Sequence, residues 1–498
     1  MLFRSPIGEL FVLCPDVDVD DWDVEACHRN PLHSILKGSD EDYFELEDAA
    51  ADPKYAKIIE SIKYPMYSFG FIDAMGMPNI TRPPNLDNNA YVDQMFLFSA
   101  DAFLIYHKGQ LIYEKYAKKG DPASPDGMTN GLIKIRANNF SHLDRHNLYS
   151  VTKSLLGIVY TKLVDEVADF NEDDTVVHWI PELADTSAFN DVTVRMIADM
   201  SIELEYDEGE VCFNDPQVVE WYEQIDDYIQ NGEKGEFPIR KGCEHQLYRM
   251  MTGQWNVIPE RLDVPLVRNF TMRTFLDTMP RSKLDYFKLL KRGNSNENGA
   301  KYTYRSFTTD VFALICFAVI KSEYGGVYES VADYFQKEIW EKLGTDQDLV
   351  LTTTADEDPT WWSMGSATAR DMLRVGILLL NGGKNHKGEQ VLSKNAVDSI
   401  FDGTDLSRSQ FQVNPFAYPG LMSSGIVYNP DFIPERKECE QMTADWSYQN
   451  QFRSYNPGKQ KGSGEIAFMD GFWGQSVYID RKADLVVVQL SNNLNYIP

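Results

Sequence analysis

Ser150 stands three residues before Lys153 in the stretch NLYSVTKSLLG, at the head of an apolar run. Positions i and i+3 of a helix share a face, so a hydroxyl and an amine at this spacing can meet within one turn. A serine hydroxyl is a weak nucleophile until a neighbouring base takes its proton, and a lysine is such a base only when neutral. Leu155, Leu156 and their neighbours would bury Lys153, and burial favours the neutral amine. The start of a helix also puts free backbone N–H groups and the positive end of the dipole beside the hydroxyl. The same four letters describe a helix N-cap serine followed by a surface lysine, and the motif alone leaves both readings open. The chain supplies a control. Ser34 and Lys37 also form S-x-x-K, but the acidic GSDEDYFELEDAAAD follows them, so no apolar helix desolvates that lysine and the copy is expected to be idle.

Two distant segments bring further groups. YTYRSFTTDVFALI carries Tyr304 and Ser306 ahead of an apolar helical run, and DGFWGQSVYID carries Gly471, Phe472, Trp473 and Gly474 at the entry to a late strand. An S-x-x-K, then a Tyr-containing Y-x-S element, then a strand bearing x-Trp-Gly, in this order, resembles the serine β-lactamase-like hydrolases. That family includes class C β-lactamases, DD-peptidases, carboxylesterases and 6-aminohexanoate-oligomer hydrolases. The stretch WWSMGSATARDMLRVGILLLNGGKNHKGEQVLS is similar to the family's late helix and the loop after it, and the resemblance spans roughly residues 95–495.

The resemblance implies Ser150 as nucleophile, Lys153 as its base, and Tyr304 as a proton carrier whose phenolate the nearby ammonium favours. It implies an oxyanion hole made by the Ser150 N–H with one from residues 472–474, and substrate contacts at Ser306, Phe472, Trp473 and Gly474. The third motif departs from the Lys-Thr-Gly or His-x-Gly of β-lactam-recognising members. Trp473 cannot supply a cation for a β-lactam carboxylate, which points to the esterase or amidase branch. DMSIELEYDEGE resembles the matching stretch of the 6-aminohexanoate hydrolases. Its Glu203, Glu205 and Asp207 could meet a substrate ammonium or could form a solvated acidic loop. The implied activity is cofactor-free cleavage of a small ester or amide through an acyl-enzyme. A DD-peptidase or penicillin-binding activity is the alternative within the fold, and a non-catalytic binding protein the alternative outside catalysis.

Other constellations fail on their own chemistry. His142 and His146 have the spacing of helical zinc ligands, but Leu143 replaces the required Glu. Asp16, Asp18 and Asp20 open like a calcium loop, which Asp21 and Cys27 then break at the glycine and glutamate positions. No G-x-S-x-G elbow and no nucleotide-binding glycine loop occurs. Cys14, Cys27, Cys212, Cys243, Cys316 and Cys439 form no C-x-x-C pair, so free thiols are expected, with disulfides left open by the even count. No metal or cofactor is implied.

The elements that must position these groups are legible in outline. FLFSADAFLIYHKGQLIYEKY reads as two strands around His107-Lys108-Gly109-Gln110. A buried helix is expected from Ser154 to about Glu166, a second over 308–325, and a third within 367–383, stopped by Gly382-Gly383. GQSVYIDRKADLVVVQLS reads as two late strands. Strands early and late with helices between them predict an α+β fold: an antiparallel sheet flanked by helices, with a mostly helical lobe inserted over about 170–300. Residues 1–90 are acidic and irregular and are expected to form an extension over a core domain of 91–498.

The whole chain has 498 residues, 43% of them hydrophobic, enough for a large core with no disulfide or metal staple. Its 47 Lys and Arg against 76 Asp and Glu give a net charge of −29, which repels nucleic acid and anionic membranes. A small-molecule substrate is the expected partner. The start MLFRSPIGELFVLCPDVDVDDWD lacks an uninterrupted apolar leader, and no run reaches the ~20 apolar residues of a membrane span. A cytoplasmic location is therefore expected. Nothing in the sequence sets the oligomeric state.

Overall fold

Alternating apolar residues on either side of a Lys-Gly turn begin the central sheet. The computed structural model describes most of residues 100–206, 282–404 and 446–491, together with Glu208, a helix at Glu244–Met251 and three short strands nearer the start. In chain order the strands are β1 (Leu2–Arg4), β2 (Leu10–Val12), β3 (His33–Leu36), β4 (Ala100–His107), β5 (Gln110–Tyr116), β6 (Pro122–Pro125), β7 (Ile133–Ile135) and β8 (His146–Tyr149). Then follow β9 (Leu349–Thr352), β10 (Gly365–Ala367), β11 (Trp446–Gln449), β12 (Phe452–Tyr455), β13 (Ile466–Gly471), β14 (Gln475–Asp480) and β15 (Leu485–Ser491). Lys108 and Gly109 have φ of 48° and 86°, the two positive values that a tight two-residue hairpin turn needs. They join β4 to β5 with His107 opposite Gln110, as the sequence predicts.

The main sheet has the order β11-β12-β13-β14-β15-β4-β5 and is antiparallel throughout. β15 pairs with β4 along its length, Leu485 opposite His107 and Val488 opposite Leu104. Early and late segments thus share one sheet, the α+β arrangement expected. A smaller sheet, β3-β9-β10-β8, lies beside it.

The helices that matter to the site are α1 (Val151–Glu166), α2 (Glu244–Met251), α3 (Lys283–Phe287), α4 (Thr308–Tyr324), α5 (Ala369–Leu380) and α6 (Lys394–Asp402). Every residue of α1 from Val151 to Leu163 is buried, because the helix is wrapped by α4, α6 and the inner face of β13 and β14. Gly157 permits that fit: a side chain there would collide with the Asn450 carbonyl and come within 3.1 Å of the Phe452 ring. α5 lies on β14, β15 and β4, where a methyl on Gly376 would sit 2.5 Å from Val486. α4 ends at Gly325 in the left-handed region, the usual helix stop. Among the described residues no helix is long and apolar enough to cross a membrane.

Candidate active site

β8 runs directly into α1, and the joint is strained. Tyr149 has φ of 47°, a left-handed value that costs a bulky residue on the order of 1 kcal/mol or more. Its N–H bonds Asn147 Oδ1 at 3.0 Å, which holds the kink. Ser150 follows with helical angles and makes no capping bond with its side chain. Its Oγ instead lies 2.7 Å from Lys153 Nζ and 2.7 Å from the Tyr304 hydroxyl. Lys153 is 1% exposed. The alternative of a capping serine with a surface lysine is therefore not what the chain adopts.

Lys153 Nζ also donates to the Trp362 carbonyl, just ahead of β10. A neutral amine that gives an N–H to that carbonyl can keep its lone pair for the serine hydroxyl. Burial pushes the Lys153 ammonium down to about 7, against the attraction of Glu208, Asp310 and Asp470. The proton-accepting form is thus populated near neutrality.

Tyr304 stands in the turn that enters α4. Burial, and next the charge of Glu208, push its hydroxyl well up, while the bond to Ser150 acts the other way. This corrects the expectation of a phenolate. The lysine that was to supply an ammonium is itself short of its proton, and Glu208 adds a repelling charge. Tyr304 stays a phenol and donates to Ser150 Oγ. Its ring meets Tyr448 edge-on at 6.3 Å, and Tyr448 packs on Tyr302 at 5.2 Å.

Residues 472–474 form the loop of the β13–β14 hairpin, with Gly471 opposite Gln475. Gly474 has φ of 88°, and its carbonyl accepts from Gln489 Nε2 at 3.1 Å. A methyl on Gly471 would lie 2.5 Å from the Leu148 carbonyl oxygen and 3.2 Å from Val151. The end of β13 is therefore laid against the residues flanking Ser150. Phe472 is 46% exposed and meets the Tyr149 ring edge-on at 6.1 Å. Trp473 lies outside the described residues, as do Asp207, the aspartates 16–20 and all the cysteines except the buried Cys316.

Ser306 is tied elsewhere: its N–H donates to Glu208 Oε1 at 2.5 Å. The Glu203 carboxylate accepts from Asn296 Nδ2 at 3.4 Å and its N–H donates to Asn298 Oδ1, while the Glu205 N–H donates to the Lys291 carbonyl. The carboxylate of this acidic segment that reaches the Tyr304 turn is Glu208, which the sequence hides among like charges. Asp310 and Asp470 were missed as well, although each is an acid within an apolar helix or strand, which was the available signal. Asp310 accepts from Tyr248, from the Trp361 N–H at 2.6 Å, and faces Lys283 at 3.6 Å. Asp470 accepts from Arg453 Nε at 2.9 Å.

His146 lies in β8, where the i, i+4 convergence of helical ligands does not arise, and its Nε2 pairs with Asp101 at 3.0 Å. Among the described residues no group of acids, histidines and cysteines is placed to hold a metal. Ser34 lies in β3, and Lys37 lies outside the described residues.

The description of one family, Beta-lactamase, matches residues 91–238. A 6-aminohexanoate-dimer hydrolase from Paenarthrobacter ureafaciens is 26% identical over 355 residues, 71% of this chain and 67% of the relative. Among solved structures, a Bacillus anthracis protein provisionally named 6-aminohexanoate-dimer hydrolase superposes with a TM-score of 0.57 at 20% identity. That superposition covers 93% of this chain and 86% of the other.

Proposed function

Since the chain belongs to the β-lactamase-like serine hydrolases, we propose that it cleaves a small ester or amide with Ser150 as nucleophile, Lys153 as base and Tyr304 as proton donor. The observation that carries this reading is the meeting of both partners on one oxygen, 2.7 Å from each side. Neutral Lys153 takes the Ser150 proton as Oγ bonds to the carbonyl carbon. The tetrahedral oxyanion is held by the Ser150 N–H and one from residues 472–474, a site in which each donor contributes about 3 kcal/mol. Collapse breaks the bond to the leaving alcohol or amine, which receives the Tyr304 proton. The Lys153 ammonium, 5.1 Å from the Tyr304 ring centre, restores it. Water then attacks the acyl carbon, giving its proton to the same pair, which returns it to Ser150 Oγ as the acyl bond breaks.

The acyl and leaving groups are assigned to the esterase or 6-aminohexanoate branch. Trp473, in place of the family's cationic residue, offers no partner to a β-lactam carboxylate, and the Paenarthrobacter relative is named for an amide of an amino acid. Intact-protein mass spectrometry after a fluorophosphonate tests the nucleophile. A single adduct that maps to Ser150 and is absent from Ser150→Ala is expected; no adduct on the folded wild type would overturn the assignment. Hydrolysis of p-nitrophenyl butyrate beside 6-aminohexanoate dimer then separates ester from amide preference.

A further inference from the structure

Three carboxylates face Lys153: Asp310 from α4, Asp470 from β13, and Glu208 from the segment before α2. Two of them have a cation of their own. Asp310 lies 3.6 Å from Lys283 Nζ, and Asp470 accepts from Arg453. Among the described residues the one basic side chain at contact with Glu208 is His245, its Nδ1 at 3.6 Å, and burial keeps that imidazole well below its ordinary range and uncharged. Arg305 acts on Glu208 from further off, its guanidinium given to the Ile202 and Leu204 carbonyls. The remaining titratable neighbours are the phenols of Tyr304, Tyr302, Tyr206 and Tyr286, all of them held neutral by burial. Glu208 is also a mechanical tie: its Oε1 holds the Ser306 N–H at the entrance of α4, two residues past Tyr304.

We propose that Glu208 is a positioning residue that holds the Tyr304 turn in place and sets the charge of Lys153, as the carboxylate whose field reaches that amine uncancelled by a contacting cation. The assignment rests on the catalytic roles proposed above. Burial drives Glu208 toward its neutral form and Lys153 toward the neutral amine, so one proton is contested between two groups that both resist charge. An ionised Glu208 favours the ammonium and delays the base; a neutral one releases it. The sign follows directly. Removing the charge lowers the pH at which Lys153 becomes a base, and removing the acceptor frees the turn that carries Tyr304.

The test is the pH profile of kcat/KM for p-nitrophenyl butyrate hydrolysis in wild type, Glu208→Gln and Glu208→Ala, with fluorophosphonate labelling and thermal melting of each. Glu208→Gln keeps an acceptor for Ser306 and loses the charge; its acidic limb should move down by about one pH unit with little change on the plateau. Glu208→Ala should show the same movement and lose about tenfold or more in kcat, since a displaced proton donor is costly. If the alanine variant unfolds, the glutamine variant carries the test. Labelled, folded variants with an unmoved acidic limb would overturn the assignment, even with a lower plateau, because a merely structural role leaves the limb in place. A wild type that takes no label at Ser150 would overturn the catalytic roles as well.

Discussion

Burial pushes the Lys153 ammonium down to about 7, and this has consequences for both rate and stability. The proposed mechanism needs the neutral amine, so kcat/KM should rise with pH through about 7, which a pH–rate profile reads directly. In the unfolded chain the lysine titrates near 10.4. Between about 7 and that value the unfolded state binds a proton that the folded state does not, so this group's contribution to stability rises with pH across the window. Lys153→Met should therefore abolish labelling of Ser150 while raising the melting temperature at pH 7 relative to wild type. A melting temperature that falls would contradict the account of a charge kept off by burial. Tyr304→Phe removes the proton donor and leaves the ring packing on Tyr448; a loss of about 10²-fold or more in kcat, with Ser150 still slowly labelled, is expected.

Two glycines decide how closely the elements around the nucleophile approach, and each can be tested. Gly157→Ala would drive a methyl into the Asn450 carbonyl and push α1 off the β11–β12 turn; a destabilisation of about 1–3 kcal/mol is expected in denaturant melts. Gly471→Ala would press β13 away from Leu148, so its damage should fall on the rate of acylation more than on the melting temperature. These elements differ in how far the sequence reveals them. The β4–β5 turn, α4, and the strand pairs near the end follow from local pattern and turn chemistry alone. That Ser150, Lys153 and Tyr304 meet was legible through motif order. Glu208, Asp310 and Asp470 were not, because their importance comes from which cation each has been given or denied, and that is settled by side chains on other strands and helices. The phenolate expected of Tyr304 failed for the same reason: a pKa is set by everything that surrounds a group.

On the scale of the molecule, the small sheet β3-β9-β10-β8 links residues 33–36 to the serine at the end of β8. The acidic N-terminal extension thus contributes at least one strand to the scaffold of the site, and a truncation through residue 40 should lower the melting temperature and slow labelling by uncovering the edge of β9. A net charge of −29 repels itself, so added salt should raise the melting temperature of the full chain until the repulsion is screened. The pairing of β4 with β15 has a consequence in time. The helix that carries the serine emerges from the ribosome early, but the hairpin that opens the sheet must wait for a partner encoded nearly four hundred codons later, and such distant contacts form slowly. Until Leu485–Ser491 has been made, the nascent chain has no completed sheet across which to hold the serine. Labelling of Ser150 by a fluorophosphonate should therefore appear only in nascent chains that already include Leu485–Ser491.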